Sequence, residues 1–373
     1  MTKATRRWRE HSTWTALGGF GIAAILLFAV APAVLSDFRL NLLAKFLCFA
    51  IVAVGIGLAW GRGGMLTLGQ GVFFGLGAYL MAMHLQLADA ARLGNGVPEF
   101  MEIAGIAELP AFWQPFASAP VTLLAIAVLP ALVAAVLGYG VFKRRVKGAY
   151  FAILSQALAA ALAILLTGQQ AIGGFTGLSD FRALFGFKLA DPANRRMLFF
   201  LAAGTLLVVV ALARQLMHSR YGELLVAVRD QEERVRFLGY DPANVKIVAY
   251  VVAAFFAGIA GALFTPIVGI ISPADIGVVP SIAFLIGVAI GGRTTLLGPV
   301  LGAIGVAWAQ TALSEQFPSG WTYLQGVLFI MVIGFVPAGL AGAWPLLKGL
   351  LDNRSRRAAP TTPLPEPVRA EAR

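Results

Sequence analysis

The chain has 373 residues, of which 59% are hydrophobic and only 13% are charged. Soluble globular domains carry charge on about a quarter of their residues, so this composition excludes that class. The formal net charge of +11 does not indicate nucleic-acid binding, because the basic residues are spread through short polar segments and form no basic domain. The single cysteine excludes a disulfide framework, and three scattered histidines without carboxylates at metal-ligand spacing predict neither a metal site nor another cofactor.

Apolar runs of about 20 residues recur along the chain and predict an all-α, polytopic inner-membrane protein with about ten transmembrane helices in contact with lipid. The run at 282–290 is too short to cross a bilayer alone, so we expect its flanks to extend it or the segment to be re-entrant. The predicted spans are residues 15–35, 40–60, 61–85, 121–142, 149–167, 197–213, 247–270, 282–290, 300–313 and 321–344.

Three regions follow from this pattern. A cytoplasmic basic N-terminus at 1–13 precedes the transmembrane domain at 14–347, and a cytoplasmic tail follows at 348–373. The N-terminus has the outline of a signal peptide, but the apolar run behind it is too long for one, so an uncleaved first span is favoured. The tail is rich in proline, alanine, glutamate and arginine, and we expect it to be disordered.

Glycine interrupts the third apolar run, at 61–85. Gly63, Gly64, Gly69 and Gly71 weaken a continuous helix and allow close backbone approach, so we expect an irregular entry followed by a span. Broken helices at membrane depth are tolerated only where they are buried in protein or line a cavity.

A short internal similarity links this run to a later part of the chain. GRGGMLTLGQG at 61–71 and GGRTTLLGPVLG at 291–302 each combine a glycine-arginine turn with an apolar entry. Paired interruptions of this kind often flank the substrate site of a transporter.

Two long polar segments, 88–120 and 168–196, are predicted to be external. We expect the first to contain a short interfacial helix anchored by Phe112, Trp113 and Phe116. The opposite connections and the termini hold most of the 29 lysines and arginines. The positive-inside rule therefore places both termini in the cytoplasm.

The most highly charged segment between spans, Ser219–Lys246, is predicted to be cytoplasmic. Apolar residues recur at helical spacing over 223–238, with charged residues on the remaining positions, and Gly239 is expected to end this helix. A solvated surface helix and a docking helix for another protein are both compatible with this pattern.

Several kinds of chemistry are absent. The chain has no G-x-x-x-x-G-K-[ST] sequence, so it does not hydrolyse nucleotide itself, and no nucleophile–base pair marks a catalytic residue. The spans contain almost no carboxylates, which argues against proton or sodium coupling. Lys45 lies within a span, either as a snorkelling lysine or as a charge at the outer end of a pathway. A transporter with a docking helix would obtain its energy from a separate ATPase subunit, whereas a passive channel would need neither.

Several stretches together resemble the membrane subunits of ABC importers in the branched-chain amino acid permease family, and within it the urea permeases. The external PEFM and ELPAFW sequences and the run from RVRFLGY to GVVPSI separate the urea branch from the amino acid branch. The matching stretches are Gly63–Tyr79, Pro98–Met101, Glu108–Phe116, Gly177–Phe187, Ser219–Pro242, Gly269–Ile282, Gly291–Ala303 and Ser314–Ile330.

The resemblance implies that Arg229–Gly239 is a coupling helix that seats in a cleft of an ATPase subunit. Glu233 and Gly239 match the acidic and glycine positions of that motif, whereas Arg234 and Val235 stand where the family usually has small residues. The residues assigned to coupling are Arg229, Asp230, Glu232, Glu233, Arg234 and Gly239.

The resemblance also implies four kinds of partner site: for a sister permease subunit in a heterodimer, for two ATP-binding subunits, for a periplasmic substrate-binding protein and for lipid. Urea is small and neutral, so we expect its path to offer hydrogen-bond partners instead of charges. Thr67 and Gln70 in the broken span and Thr176 in an outer loop are the candidates, with helix capping or packing as the alternative role of each.

The predicted function is the permease subunit of an ATP-driven urea importer. The alternatives are a permease for branched-chain amino acids or short amides and, from a different class, a passive urea or amide channel.

Overall fold

The computed structural model describes residues 18–316 except 95, 147 and 294, together with separate positions between 320 and 339. The predicted N-terminus at 1–13, the tail at 348–373 and most of the last predicted span lie outside the described residues. The helices, in chain order, are 18–25 (α1), Ala31–Val34 (α2), Asp37–Ile56 (α3), Gln70–Leu93 (α4), Glu99–Ile103 (α5), Ala119–Phe142 (α6), Ala149–Thr167 (α7), Pro192–Met217 (α8), Arg220–Phe237 (α9), Pro242–Val268 (α10), Val278–Gly291 (α11) and Leu297–Gln316 (α12).

Short strands occur only at one end of the bundle in the described part. Leu178–Ser179 (β1) pairs in antiparallel fashion with Ile270–Ile271 (β4). Ala183–Leu184 (β2) and Phe187–Lys188 (β3) form a second antiparallel pair. Each strand has two residues, so the prediction of an all-α membrane protein is confirmed.

Eight helices in the described part are long and apolar enough to cross a membrane. A shorter apolar helix, Gly18–Val34, occupies the first predicted span, where a π-helical turn at Leu26–Val30 joins α1 to α2. The short run at 282–290 is extended by its flanks, because a 3₁₀ turn at Pro273–Asp275 and α11 together form an apolar stretch of 19 residues. The tenth predicted span, 321–344, is outside the described residues apart from separate positions.

The centre of the bundle is the contact between α4 and α10, and α10 also packs along α3 and α6. Glycine lets the two backbones touch. A Cβ atom at Gly77 would overlap the carbonyl oxygen of Gly258, and one at Gly261 would overlap that of Phe74. Between apolar helices, close backbone approach replaces the hydrophobic driving force that lipid removes. Small residues on α4 and α10 therefore allow the two helices to pack backbone against backbone.

Aromatic rings fill the space beside this contact. Phe49 of α3, Phe74 of α4, Phe264 of α10 and Phe284 of α11 lie with ring centroids 5.1–6.3 Å apart. Stacked, tilted and edge-to-face pairs at these separations each contribute about 1 kcal/mol beyond burial. The ring cluster joins four helices that are distant in sequence.

In the segment at 88–120, which the sequence predicts to be an external loop, the structure places Trp113 and Asp89 differently from the prediction. Trp113 is fully buried and is not an interfacial anchor, because α5 and a 3₁₀ helix at Ala111–Ala117 fold back so that its ring meets Phe100 at 5.9 Å. Asp89 falls within the predicted loop but belongs to α4, which continues to Leu93 and ends at Gly94 with φ +77°. The prediction is wrong here because the alanine-rich stretch after Leu87 is helix-forming despite its charges.

Candidate functional site

A break between two spans forms the first part of the site. Helix α3 continues into a π-helical turn, Gly57–Arg62, and the chain then reaches α4 through the irregular segment 63–69. Turns of this type are rare and concentrate at functional sites. Gly64 has φ +69°, the left-handed region that favours glycine, and lets the chain change direction.

Four neutral polar side chains gather around this break. Thr67, Gln70, Ser155 of α7 and Ser281 of α11 are all buried. The Leu68 N–H donates to Ser155 Oγ at 3.0 Å, and the Gly71 N–H donates to Ser281 Oγ at 3.1 Å. We call these four residues the break cluster. The two serines satisfy backbone N–H groups that the break leaves without a helical partner.

Within the break cluster, one polar atom has no partner. Gln70 is 1% exposed; its Nε2 lies 3.5 Å from Thr67 Oγ1, and its Oε1 accepts no hydrogen bond from any residue that the structure describes. The first turns of α4 and α11 meet here, because Gly71 and Ser281 are in hydrogen-bond contact. Helix N-termini carry partial positive charge and attract oxygen atoms. The cluster thus presents a free amide oxygen beside two helix N-termini.

The glycines of the break contact neighbouring helices directly. A Cβ atom at Gly69 would overlap the Ser155 carbonyl oxygen. A Cβ atom at Gly71 would lie 2.5 Å from Ser281 Oγ and 2.6 Å from the Ile276 carbonyl oxygen. Both distances are below any that real side chains adopt, so these positions accept only glycine in the present packing.

The two glycine-arginine turns identified in the sequence meet at the other side of the break. Gly61 packs on the carbonyl oxygen of Arg293, whose guanidinium carbon lies 4.9 Å from the centre of the Trp60 ring. The Arg229 side chain reaches the same place from α9, and its Nη1 donates to the Gly61 carbonyl oxygen at 2.7 Å. Three segments distant in sequence therefore converge on one turn.

The helix that carries Arg229 is bent and has a defined end. Gln231 has φ −149° and ψ 71°, so α9 consists of two helical pieces that meet at a kink. Gly239, with φ +87°, follows the last turn, and the Tyr240 N–H donates back to the Val235 carbonyl oxygen at 3.3 Å. This geometry agrees with the predicted helix end at Gly239, and α10 begins at Pro242, within the predicted polar segment 219–246.

Helix α9 packs on the break through its first piece. A Cβ atom at Gly64 would lie 2.7 Å from Arg229 Cγ, and one at Gly63 would lie 3.2 Å from Leu225 Cδ1. Arg229 Nε also donates to Asp230 at 2.8 Å, and this hydrogen bond lowers the pKa of the Asp230 carboxyl group. Arg229 thus connects the polar helix to the end of α3.

The acidic residues behind the kink have different environments. The Glu232 side chain is 16% exposed and accepts hydrogen bonds from Lys246 at 2.8 Å and Arg236 at 3.3 Å. The neighbouring Glu233 side chain is 65% exposed, and its contact with Arg236 is longer, at 3.6 Å. Arg234 and Gly239 are also exposed. Glu232 joins α9 to α10, whereas Glu233 faces outward.

Two further sequence candidates lie away from the break cluster. The Thr176 hydroxyl donates to the Gly173 carbonyl oxygen within its own loop and lines a separate cavity near β1. Lys45 lines a cavity of about 160 Å³ with Asp275, against the ring cluster of Phe49, Phe74, Phe264 and Phe284.

Comparison with known proteins places this geometry in a family. Residues 38–336 match the family model described as branched-chain amino acid transport system, permease component. The chain belongs to this permease family. Over 346 residues the permease is 29% identical to the high-affinity branched-chain amino acid transport system permease protein LivM of Escherichia coli strain K12, covering 86% of this chain and 74% of LivM.

Two other relatives agree with this assignment. The permease is 28% identical to LivM of Salmonella typhimurium over 90% of this chain and 77% of the relative. It is 24% identical to the probable branched-chain amino acid transport permease protein LivM of Methanocaldococcus jannaschii over 62% of this chain and 72% of the relative. No solved structure matches the chain. The protein is a multi-span ABC permease subunit, a transport component and not an enzyme, whose family works with further permease, ATP-binding and substrate-binding subunits.

Sequence reasoning misses part of the permease's site. Ser155 is an isolated hydroxyl in the sequence, which is typical of a side chain that hydrogen-bonds a helix carbonyl. Its Oγ does donate to the Ala152 carbonyl oxygen at 2.8 Å. The same Oγ also accepts the Leu68 N–H of the break. Ser281 has no sequence signal, since it lies 210 residues from Gly71. Arg293 stands out in the sequence only as part of a repeated turn. That repeat is the one sequence signal that two distant segments share a site.

The contact between Arg229 and Gly61 gives a first prediction for the permease. Arg229→Ala removes a charge-assisted hydrogen bond of about 2 kcal/mol, so ATP-driven uptake in proteoliposomes should fall roughly thirty-fold while ATP hydrolysis continues. Arg229→Lys should also impair uptake, because the single ammonium group of lysine does not reproduce the planar guanidinium that donates to Gly61 and Asp230 at the same time. Arg220→Ala, an exposed arginine at the start of α9, serves as the matched control. Unchanged uptake in Arg229→Ala would show that the Arg229–Gly61 hydrogen bond does not couple ATP hydrolysis to transport.

Proposed function

We propose that the permease forms half of the translocation path of an ATP-driven urea importer. The observation that carries this proposal is the buried Oε1 of Gln70, which has no hydrogen-bond partner in a cluster whose four side chains are all neutral. Urea has N–H donors for this oxygen and a carbonyl oxygen for the N-termini of α4 and α11. A buried polar atom without a partner costs about 1–3 kcal/mol, which a passing solute of this kind would recover.

The neutrality of the break cluster supports a neutral solute. An amino acid carries an ammonium and a carboxylate, and burying either away from a countercharge is expensive. Thr67, Gln70, Ser155 and Ser281 supply no such countercharge. The external sequences at 98–101 and 108–116, which resemble the urea branch of the family, support the same solute.

A second candidate solute is a branched-chain amino acid, which the names of the relatives suggest. The cavity between Lys45 and Asp275 supports it, because one positive and one negative side chain stand beside four phenylalanine rings. That arrangement suits a zwitterion with an apolar side chain. Asp275 already accepts hydrogen bonds from Ser272 N at 2.9 Å and Ser272 Oγ at 2.7 Å, which reduces its capacity for a ligand. We therefore place this candidate second.

The importer proposal includes specific partners and an orientation. A sister permease completes the path, one of two ATP-binding subunits receives the exposed part of α9, and a periplasmic binding protein delivers the solute to the opposite end. In this proposal the complex lies in the inner membrane, and both termini of the permease lie in the cytoplasm. The end of the bundle with Arg229 is then cytoplasmic, and the end with β1 and β4 is external.

Uptake measurements test the function directly. Cells lacking the permease, with and without its gene restored, are supplied with labelled urea at micromolar concentration, with excess leucine as competitor and an ATPase-subunit deletion as control. Urea uptake that depends on both genes and is indifferent to leucine supports the proposal. Uptake that is sensitive to leucine moves the assignment to amino acids, and urea uptake that survives the ATPase deletion indicates a passive channel.

A further inference from the structure

A second polar site lies at the proposed external end, away from the break cluster. A cavity of about 790 Å³ is lined by the last turns of α4, by α5 and by the loop that carries β1 and β2. Its charged lining is balanced, with the acids Asp89, Glu99 and Asp180 facing the bases Arg92, Arg182 and Lys188. A balanced lining favours neither anions nor cations and suits a polar solute without net charge.

One residue of this lining is buried and incompletely paired. Asp89 is 6% exposed, and its Oδ2 accepts the backbone N–H of Arg182 at 2.7 Å. Its Oδ1 is buried and has no hydrogen-bond partner among the described residues. The guanidinium group of the same Arg182 is bonded to Glu99 at 3.4 Å. A carboxylate oxygen left in this state requires an external donor.

Other ligand classes fit the cavity less well. Among the described residues, no group of three carboxylate, histidine or cysteine side chains is placed to hold a metal ion. An anion would meet the unpaired Oδ1 of Asp89 with the same charge. A ligand with N–H groups supplies what this oxygen lacks.

We propose that this cavity is a receiving site for a small N–H-bearing solute and that Asp89 Oδ1 accepts a hydrogen bond from it. The direction of traffic, from this cavity toward the break cluster, rests on the proposed importer function. Urea and the ammonium group of an amino acid share the recognising chemistry. The site thus adds a first binding step before the solute reaches Gln70.

Cysteine labelling measures occupancy of this cavity without depending on transport. Ala190 lines the cavity and is exposed, whereas the native Cys48 is buried and reacts slowly. The assembled transporter carrying Ala190→Cys is reconstituted in nanodiscs and treated with a membrane-impermeant maleimide. Saturating urea, or in a separate arm saturating leucine, is expected to slow labelling at least threefold.

Variants of the carboxylates test the role of Asp89. Asp89→Asn keeps the shape and the contact with the Arg182 N–H but turns an NH₂ group toward the solute, so protection should be lost. Glu102→Gln, which neutralises an exposed carboxylate on α5 outside the cavity lining, should leave protection unchanged. Protection that persists in Asp89→Asn, or protection by neither solute, would overturn the receiving site. Protection by leucine alone, lost in Asp89→Asn, would support the site while refuting urea as the solute.

A ligand comparison keeps the test decisive if Asp89→Asn does not assemble. Tetramethylurea has the urea carbonyl but no N–H, and it should not slow labelling of Ala190→Cys where urea does. N,N,N-trimethylleucine plays the same role in the leucine arm. Equal protection by a solute and its methylated analogue would contradict a hydrogen bond to Asp89.

Discussion

Gly69→Leu is expected to prevent the permease from assembling a stable bundle. Even a Cβ atom at this position would overlap the backbone carbonyl oxygen of Ser155, and that atom cannot move without displacing α7. The φ angle of Gly69 is −119°, so the effect is steric and does not arise from a left-handed backbone. Overpacking typically costs about 1–3 kcal/mol, and a clash with the backbone belongs to the upper part of that range.

Thermal unfolding of the purified protein in detergent measures this effect. Gly69→Ala should lower the transition temperature, and Gly69→Leu should lower it further or abolish the folded peak in gel filtration. Gly140→Leu is the matched control, because Gly140 lies within helix α6 and a Cβ atom there would meet nothing within 4 Å. A Gly69→Leu protein that is as stable as Gly140→Leu and transports normally would show that α7 does not pack on the break.

Glu233→Lys is expected to abolish ATP-driven uptake while the permease stays folded in the membrane. The side chain is exposed behind the kink of α9, where the resemblance to ABC importers places the docking surface for an ATPase subunit. Reversal of its charge would place lysine against a surface that suits a carboxylate, and a like-charge contact across an interface costs several kcal/mol. When the variant permease is combined with the other subunits, the solute-bound binding protein should then no longer stimulate ATP hydrolysis.

Two other glutamates on α9 separate docking from folding. Glu223→Lys reverses an exposed charge on the same helix but ahead of the kink, and should leave uptake near the native level. Glu232→Lys removes the bridge to Lys246, so it should lower thermal stability, unlike Glu233→Lys. Co-purification of the ATPase subunit with each variant reports docking directly. Normal uptake in Glu233→Lys would remove this residue from the coupling mechanism.

The apolar runs are enough to identify a helical membrane protein and to locate most of its spans. A bilayer requires about 20 apolar residues for each crossing, and this requirement is local, so it is visible in one continuous stretch. The same holds for Gly239, because a left-handed turn after a helix is encoded by the glycine at that position. The glycines at 63–71 likewise indicate the break, although not what they contact.

Contacts between distant segments are decided only by the folded bundle. Ser281 joins the break cluster from α11, Arg229 reaches Gly61 from α9, and Glu232, the less exposed of two adjacent glutamates, bonds Lys246 of α10. Asp89 has the sequence context of a loop residue, yet α4 continues past it. Such pairings depend on how whole helices pack and rotate against one another, and hydrophobic periodicity along a single helix does not contain that information.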